Sequence, residues 1–103
     1  MSAYIIAEVR VSDPQRYEAY KALSPGAIAA AGGRFIVRGG ETEVLEGNWK
    51  PGRMVVLEFK TMAAAKAFYE SALYLEAREA RAGATEVFNM ICVEGVPMEG
   101  GQG

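Results

Sequence analysis

The sequence predicts an α+β fold: a ferredoxin-like β-α-β-β-α-β sandwich, its antiparallel sheet carrying the helices on one face. Three features carry this expectation. Runs rich in β-branched and other apolar residues, at 4–11, 34–38, 53–60 and 85–95, have strand character. Two stretches between them show helical spacing and open on capping residues. Clusters of turn residues mark the joints, notably 32-GG, 39-GG and 47-GNWKPG.

The elements follow in order. Residues 4–11 (YIIAEVRV) put Ile5, Ala7, Val9 and Val11 on one face and Tyr4, Ile6, Glu8 and Arg10 on the other. Asp13 is a good N-cap, and Pro14 suits the first helical position, where its missing N–H has no helical partner. Tyr17, Tyr20 and Leu23 then recur at helical spacing. Ser24-Pro25 repeats the cap-plus-proline signal, so a break into two helical segments is expected there, with Gly32-Gly33 as the stop. In 34-RFIVR-38, alternation places Phe35 and Val37 on one face and Arg34, Ile36 and Arg38 on the other. A bulge or bend at Gly39-Gly40 is expected to lead into 41-ETEVLE-46, rather than a stop. In 53-RMVVLEFK-60, Val55, Leu57 and Phe59 share a face opposite Met54, Val56, Glu58 and Lys60. Thr61 caps an alanine-rich helix over 62–72 with Met62, Ala65, Phe68 and Tyr69 on one stripe. Ser71 caps a further segment running to about Arg81, and Gly83 ends it. The strand 85-TEVFNMICVEG-95 is apolar through its middle, which predicts cover on both faces. Residues 1–96 are thus expected to form one domain, and 97–103 (PMEGGQG) a flexible tail.

Composition bounds the function. The net charge is −2, with acidic and basic residues interspersed, so neither nucleic acid nor a membrane surface is an expected partner. The opening MSAYIIAEVR reaches Glu8 too soon for a signal peptide, and no apolar run approaches a membrane span. A cytoplasmic protein is expected. There is no histidine and one cysteine, Cys92, which removes the usual general base, the commonest zinc and haem ligand and any internal disulfide. No metal and no cofactor is expected.

The sheet face away from the helices would carry Tyr4, Ile6, Ile36, Met54, Val56 and one side of the last strand. So much exposed apolar area predicts a homodimer in which two sheets stack. The same face would carry Glu8, Arg10, Arg34, Arg38, Glu46 and Glu58. Arg34 and Arg38 are therefore expected to pair with Glu8, Glu46 or Glu58, within the chain or across the dimer. The alternative is that Arg38 and the Gly39-Gly40 backbone hold an anionic ligand.

At this point the residues resemble a family. Tyr4-Ile5-Ile6, the YxxY of Tyr17 and Tyr20, Pro25, 32-GGRFIVRGG-40, 43-EVLEGNW-49, Glu58-Phe59, Phe68-Tyr69, Ser71, Tyr74 and 93-VEG-95 are similar to the domain of unknown function 1330 family. The likeness spans about residues 3 to 96. It differs at Phe68-Tyr69, where members often show Trp-Tyr, and at 71-SALY-74, where they often show Ser-Pro-x-Tyr. The resemblance implies a dimeric α/β barrel, a superfamily that includes cofactor-free monooxygenases, isomerases, stress-induced proteins and haem enzymes.

Barrels of this kind hold a cleft between sheet and helices. Its expected lining is Tyr17, Tyr20, Phe68, Tyr69, Ser71 and Tyr74, with Arg38, Gly39 and Gly40 as the anion-holding candidates. Against each stands a plainer role. Tyr17 and Tyr20 can be core residues with wet hydroxyls, and Ser24 and Ser71 simple caps. Trp49 is expected as an anchor at the dimer interface, the alternative being a lid over the partner subunit; Asn89 as a buried amide bonded to backbone, the alternative being to orient a ligand carbonyl; and Cys92 as an inert small hydrophobe. Glu8, Glu43, Glu46 and Glu58 could supply a carboxylate base, but a paired interface role is the expectation. The reading that results is a small-molecule-binding protein or cofactor-free oxygenase- or isomerase-like enzyme acting on a compact organic substrate. The alternative is a non-catalytic dimeric stress-response or regulatory protein.

Overall fold

The computed structural model describes residues 1–97. Its elements are β1 (Ala3–Val11), α1 (Pro14–Ala30), β2 (Arg34–Arg38), β3 (Arg53–Phe59), α2 (Met62–Glu70), α3 (Ala72–Ala80) and β4 (Thr85–Glu94). The four strands form one antiparallel sheet in the order β2-β3-β1-β4. This is the ferredoxin-like arrangement expected from the sequence, in a flat body of 44 × 37 × 16 Å. The tail expected over 97–103 lies, from residue 98 on, outside the described residues.

Local chemistry explains most boundaries. The Asp13 carboxylate accepts from the Arg16 N–H at 3.1 Å, and Thr61 accepts from Ala64 N–H at 3.0 Å. Ser71 separates α2 from α3 in extended backbone (φ −67°, ψ 152°) and caps α3 through Tyr74 N–H. At the end of α1, Gly32 takes φ 81°, its N–H reaches Ala29 O, and Gly33 N–H reaches Ile28 O. That is a Schellman cap, which needs glycine at the left-handed position. Gly33 answers a different demand: a Cβ there would collide with the Phe59 ring.

The predicted break at Pro25 does not occur, and α1 is one helix with Pro25 inside it. Tyr17, Tyr20, Ser24, Ala27 and Ile28 form one buried stripe that continues across the proline. Packing of that stripe outweighs the lost hydrogen bond, and the carbonyl left without its N–H belongs to exposed Lys21, where water can serve it. Pro25→Ala is therefore expected to stabilise the protein by about 1–3 kcal/mol, since proline costs roughly 3 kcal/mol in a helix interior and returns part by restricting the unfolded chain. A urea midpoint no higher than that of the parent would contradict it.

β2 differs more consequentially. Its register against β3 runs Arg34↔Glu58, Phe35↔Leu57, then Val37↔Val56 and Arg38↔Val55. Ile36 is an extra residue, a β-bulge three positions before the expected one. The bulge inverts the predicted faces beyond it. Val37 joins the face opposite the helices, and Arg38 turns to the helix side with Val55. The two arginines therefore do not share a face. The strand also stops at Arg38, and 41–46 is not a strand. Gly39 takes φ 67° and its N–H closes onto Met54 O at 2.8 Å. β2 is an edge strand of the sheet formed by the described residues, and in the acidic segment that follows it Leu45 is 91% exposed.

The core lies between the helices and one sheet face: Ile5, Val9, Leu57 and Phe59 from the strands meet Tyr20, Ile28, Phe68 and Tyr74 from the helices. The last strand is covered on one face only. Phe88, Met90 and Cys92 are half-buried under the helices, while Ile91 is 60% exposed on the far side. Asn89, expected as a buried amide, sits exposed on that far side opposite Glu8. No helix among the described residues is long and apolar enough to cross a membrane.

Candidate functional site

Between the sheet and α1 the core is incompletely filled. A cavity of about 40 Å³ lies there, walled by Val9, Val55, Leu57, Phe88 and other apolar side chains. Its polar lining is Tyr17, Tyr20, Lys21 and Ser24 from α1, Arg38 from β2 and Arg53 from β3. Among the described residues no carboxylate lines it.

Each group is set there by a specific element. Tyr17, Tyr20 and Ser24 belong to the inward stripe of α1. The Tyr20 hydroxyl lies 2.6 Å from that of Tyr74, which is 0% exposed. Burial, reinforced by the neighbouring Tyr74, drives the Tyr20 hydroxyl's pKa far up, and burial raises that of Tyr17. Both are neutral phenols near neutral pH, able to donate a hydrogen bond and poorly suited to act as bases. Arg38 reaches the rim because of the Ile36 bulge, and its guanidinium stacks 4.2 Å above the Phe35 ring. Arg53 lies opposite Val9 in the β1–β3 register, so strand alternation aims it inward. Its guanidinium lies against Gly39, where a Cβ would come within 2.8 Å of Arg53 Cζ. The buried Arg53 Nε–H finds no hydrogen-bond partner among the described residues.

The ion pairs among the described residues are Arg10–Glu86, Lys21–Glu18 and Arg34–Glu58. Arg34 meets Glu58 at 2.7 Å, as expected. Arg38 and Arg53 join none of them. An unpaired arginine costs little in water, but two at one partly enclosed, mostly apolar cavity form a local positive field in a chain of net charge −2.

The structure brings together only part of the expected lining. Tyr17, Tyr20 and Arg38 line the cavity. Tyr74 backs Tyr20 from behind. Phe68 is fully buried against Phe59 and Tyr74. Tyr69 faces a separate open groove between α2 and β4, with the Arg78 guanidinium 4.3 Å over its ring. Ser71 is occupied as a cap, its hydroxyl donating to Phe68 O at 2.7 Å. Gly39 spends its N–H on Met54 and the Gly40 carbonyl accepts from Thr42, so the pair does not offer two free N–H groups. Arg53 was missed, although counting back by two from Val55 and Leu57 puts it on the inward face.

Other singled-out residues have structural partners. The Glu8 carboxylate accepts from Gly52 N–H at 3.0 Å and from the Trp49 indole at 3.4 Å, tying the end of the long loop to β1. The Gly52 bond holds the Glu8 carboxyl below its ordinary pKa. Cys92 points its thiol at the Met62 sulfur, 3.4 Å away. Among the described residues no group of three or more Cys, Asp or Glu is placed to hold a metal ion.

The fold recurs in solved structures. A protein of unknown function from Rhodopseudomonas palustris superposes with a TM-score of 0.72 at 20% identity, over 93% of this chain and 83% of that one. A protein from Nitrosomonas europaea named "Putative antibiotic biosynthesis monooxygenase" does so with a TM-score of 0.56 at 22% identity, over 94% of this chain and 92% of that one. A dimeric protein of unknown function and ferredoxin-like fold from Bacteroides fragilis gives 0.57 at 13% identity, over 91% and 96% of the two chains. No protein of curated function matches. At these identities the likeness speaks for the fold alone. The family described as Domain of unknown function (DUF1330) matches residues 2–96, nearly the whole chain, and the protein belongs to that family.

Proposed function

We propose that this protein binds a compact organic molecule between the sheet and the helices of each subunit of a homodimer. The cavity with two unpaired arginines carries this reading. A core serving stability alone tends to fill such space with side chains and to pair its charges. Among the described residues the lining supplies cations and neutral tyrosine donors and no carboxylate. Such groups stabilise negative charge that develops on a bound molecule. That suits a cofactor-free oxygenation or isomerisation in which the substrate supplies its own reactive electrons or acidic C–H, and structural neighbours bearing a monooxygenase name agree with it. The second reading, a non-catalytic dimeric stress-response or regulatory protein, draws on the aromatic packing of Phe59, Phe68 and Tyr74, which leaves so small a space.

The dimer forms through the sheet face away from the helices. Ile91, Val93 and Val37 lie more than 40% exposed there, beside Tyr4, Ile6 and Val56. Trp49, held at the edge of that face by Glu8, is placed to meet the partner. A cytoplasmic setting belongs to the same proposal, and the free thiol of Cys92 suits a reducing compartment. Native mass spectrometry of protein purified from its own host tests it. A dimer retaining a stoichiometric small molecule is the expected result. A monomer, or a dimer whose cavity resonances no small organic acid or amide perturbs, counts against it.

A further inference from the structure

Resting on that reading, we propose that the ligand is a carboxylate: a small organic monoanion whose charged end meets Arg53 and whose apolar body lies along Val9, Val55 and Phe88. The polarity of the cavity is one-sided. Arg53 stands on the wall and Arg38 at the rim, neither in an ion pair among the described residues, and none of the described residues that line the cavity is acidic. Arg53 is fixed from behind by its packing on Gly39, so its planar fork is already oriented before a ligand arrives. Arg38 is exposed and rests on Phe35, so it can move over a bound anion without breaking a salt bridge. Tyr17, a neutral phenol whose pKa burial raises further, adds a hydroxyl donor.

Size and wall chemistry narrow the class. A space of about 40 Å³ takes roughly three water-sized groups, enough for a carboxylate and a short body. Free inorganic phosphate has no apolar part to lay along Val9, Val55 and Phe88, so it would use only the polar side of the lining. Guanidinium–carboxylate pairing is charge-assisted and geometrically matched, which makes the anionic form the preferred one.

The test uses acetate and propionate, each against its uncharged amide, with inorganic phosphate as a further probe. Binding is read by two-dimensional NMR titration of the full chain. The carboxylates are expected to bind about ten- to a hundredfold more tightly than the amides. Arg53→Gln is expected to abolish that preference, and Arg38→Gln, at an exposed position with little risk to folding, to reduce it. Carboxylate and amide binding equally would overturn this inference and leave the ligand site standing. Phosphate shifting the cavity resonances more tightly than any carboxylate would also overturn it. No probe shifting them at all would remove the ligand site as well.

Discussion

Tyr74→Ala is expected to destabilise the protein by about 3–5 kcal/mol, a large part of the total for a domain of this size. Tyr74 is fully buried and joins three elements. Its ring lies 4.3 Å from that of Phe68 and 6.1 Å from that of Tyr20, and Phe68 in turn packs on Phe59 of the sheet. Removing it opens a hole where α1, α2 and α3 meet. Tyr74→Phe separates packing from hydrogen bonding. It keeps the ring and removes only the hydroxyl that faces Tyr20 at 2.6 Å, so a loss of about 1–2 kcal/mol is expected, mostly from the Tyr20 hydroxyl left without a partner. Urea unfolding of both variants measures this. If alanine and phenylalanine cost the same, the aromatic cluster is not what joins the helices to the sheet.

Ile6→Asp is expected to separate the proposed dimer while leaving each subunit folded. Ile6 lies at the middle of the outer sheet face, between Val56 on β3 and Ile91 on β4. A carboxylate there has no cationic neighbour on its own strand nearer than Arg10, four residues on, so burying it against a second sheet leaves a charge unpaired. The dissociation constant is expected to rise by about a hundredfold or more, because an unpaired buried charge costs roughly 3–5 kcal/mol. Sedimentation across a concentration series gives the constant, and circular dichroism checks the fold. A variant that still sediments as the parent dimer would place the interface elsewhere. Arg34 supplies the contrast. Its pair with Glu58 is exposed on the Arg34 side, so breaking it should matter far less.

Much of this protein can be read from local sequence. The strands announce themselves because β-branched runs stand between turn residues. Asp13, Thr61 and Ser71 cap helices as their side-chain chemistry requires. Gly32 and Gly33 stop α1 because one must adopt positive φ and the other must let Phe59 approach. These are interactions over a few residues, so a short stretch of sequence determines them. The bare apolar face opposite the helices is also legible, since period-two alternation marks it wherever the strand is regular.

Alternation fails at a bulge. A bulge adds a residue on one strand relative to its neighbour, and only the pairing partner reveals it. RFIVR by itself gives no reason for Ile36 to be the extra residue. Its register against β3 decides that, and with it the side on which Arg38 emerges. Pro25 shows the same limit: a local signal to break was overruled by a buried stripe whose neighbours come from distant strands. By itself the sequence determined most elements, their order and the faces of the regularly alternating strands, all short-range or periodic properties. Only the tertiary structure decided that Arg38 and Arg53 face one cavity, with no carboxylate beside them among the described residues, because that depends on how β2 and β3 register against each other and on what α1 lays over them.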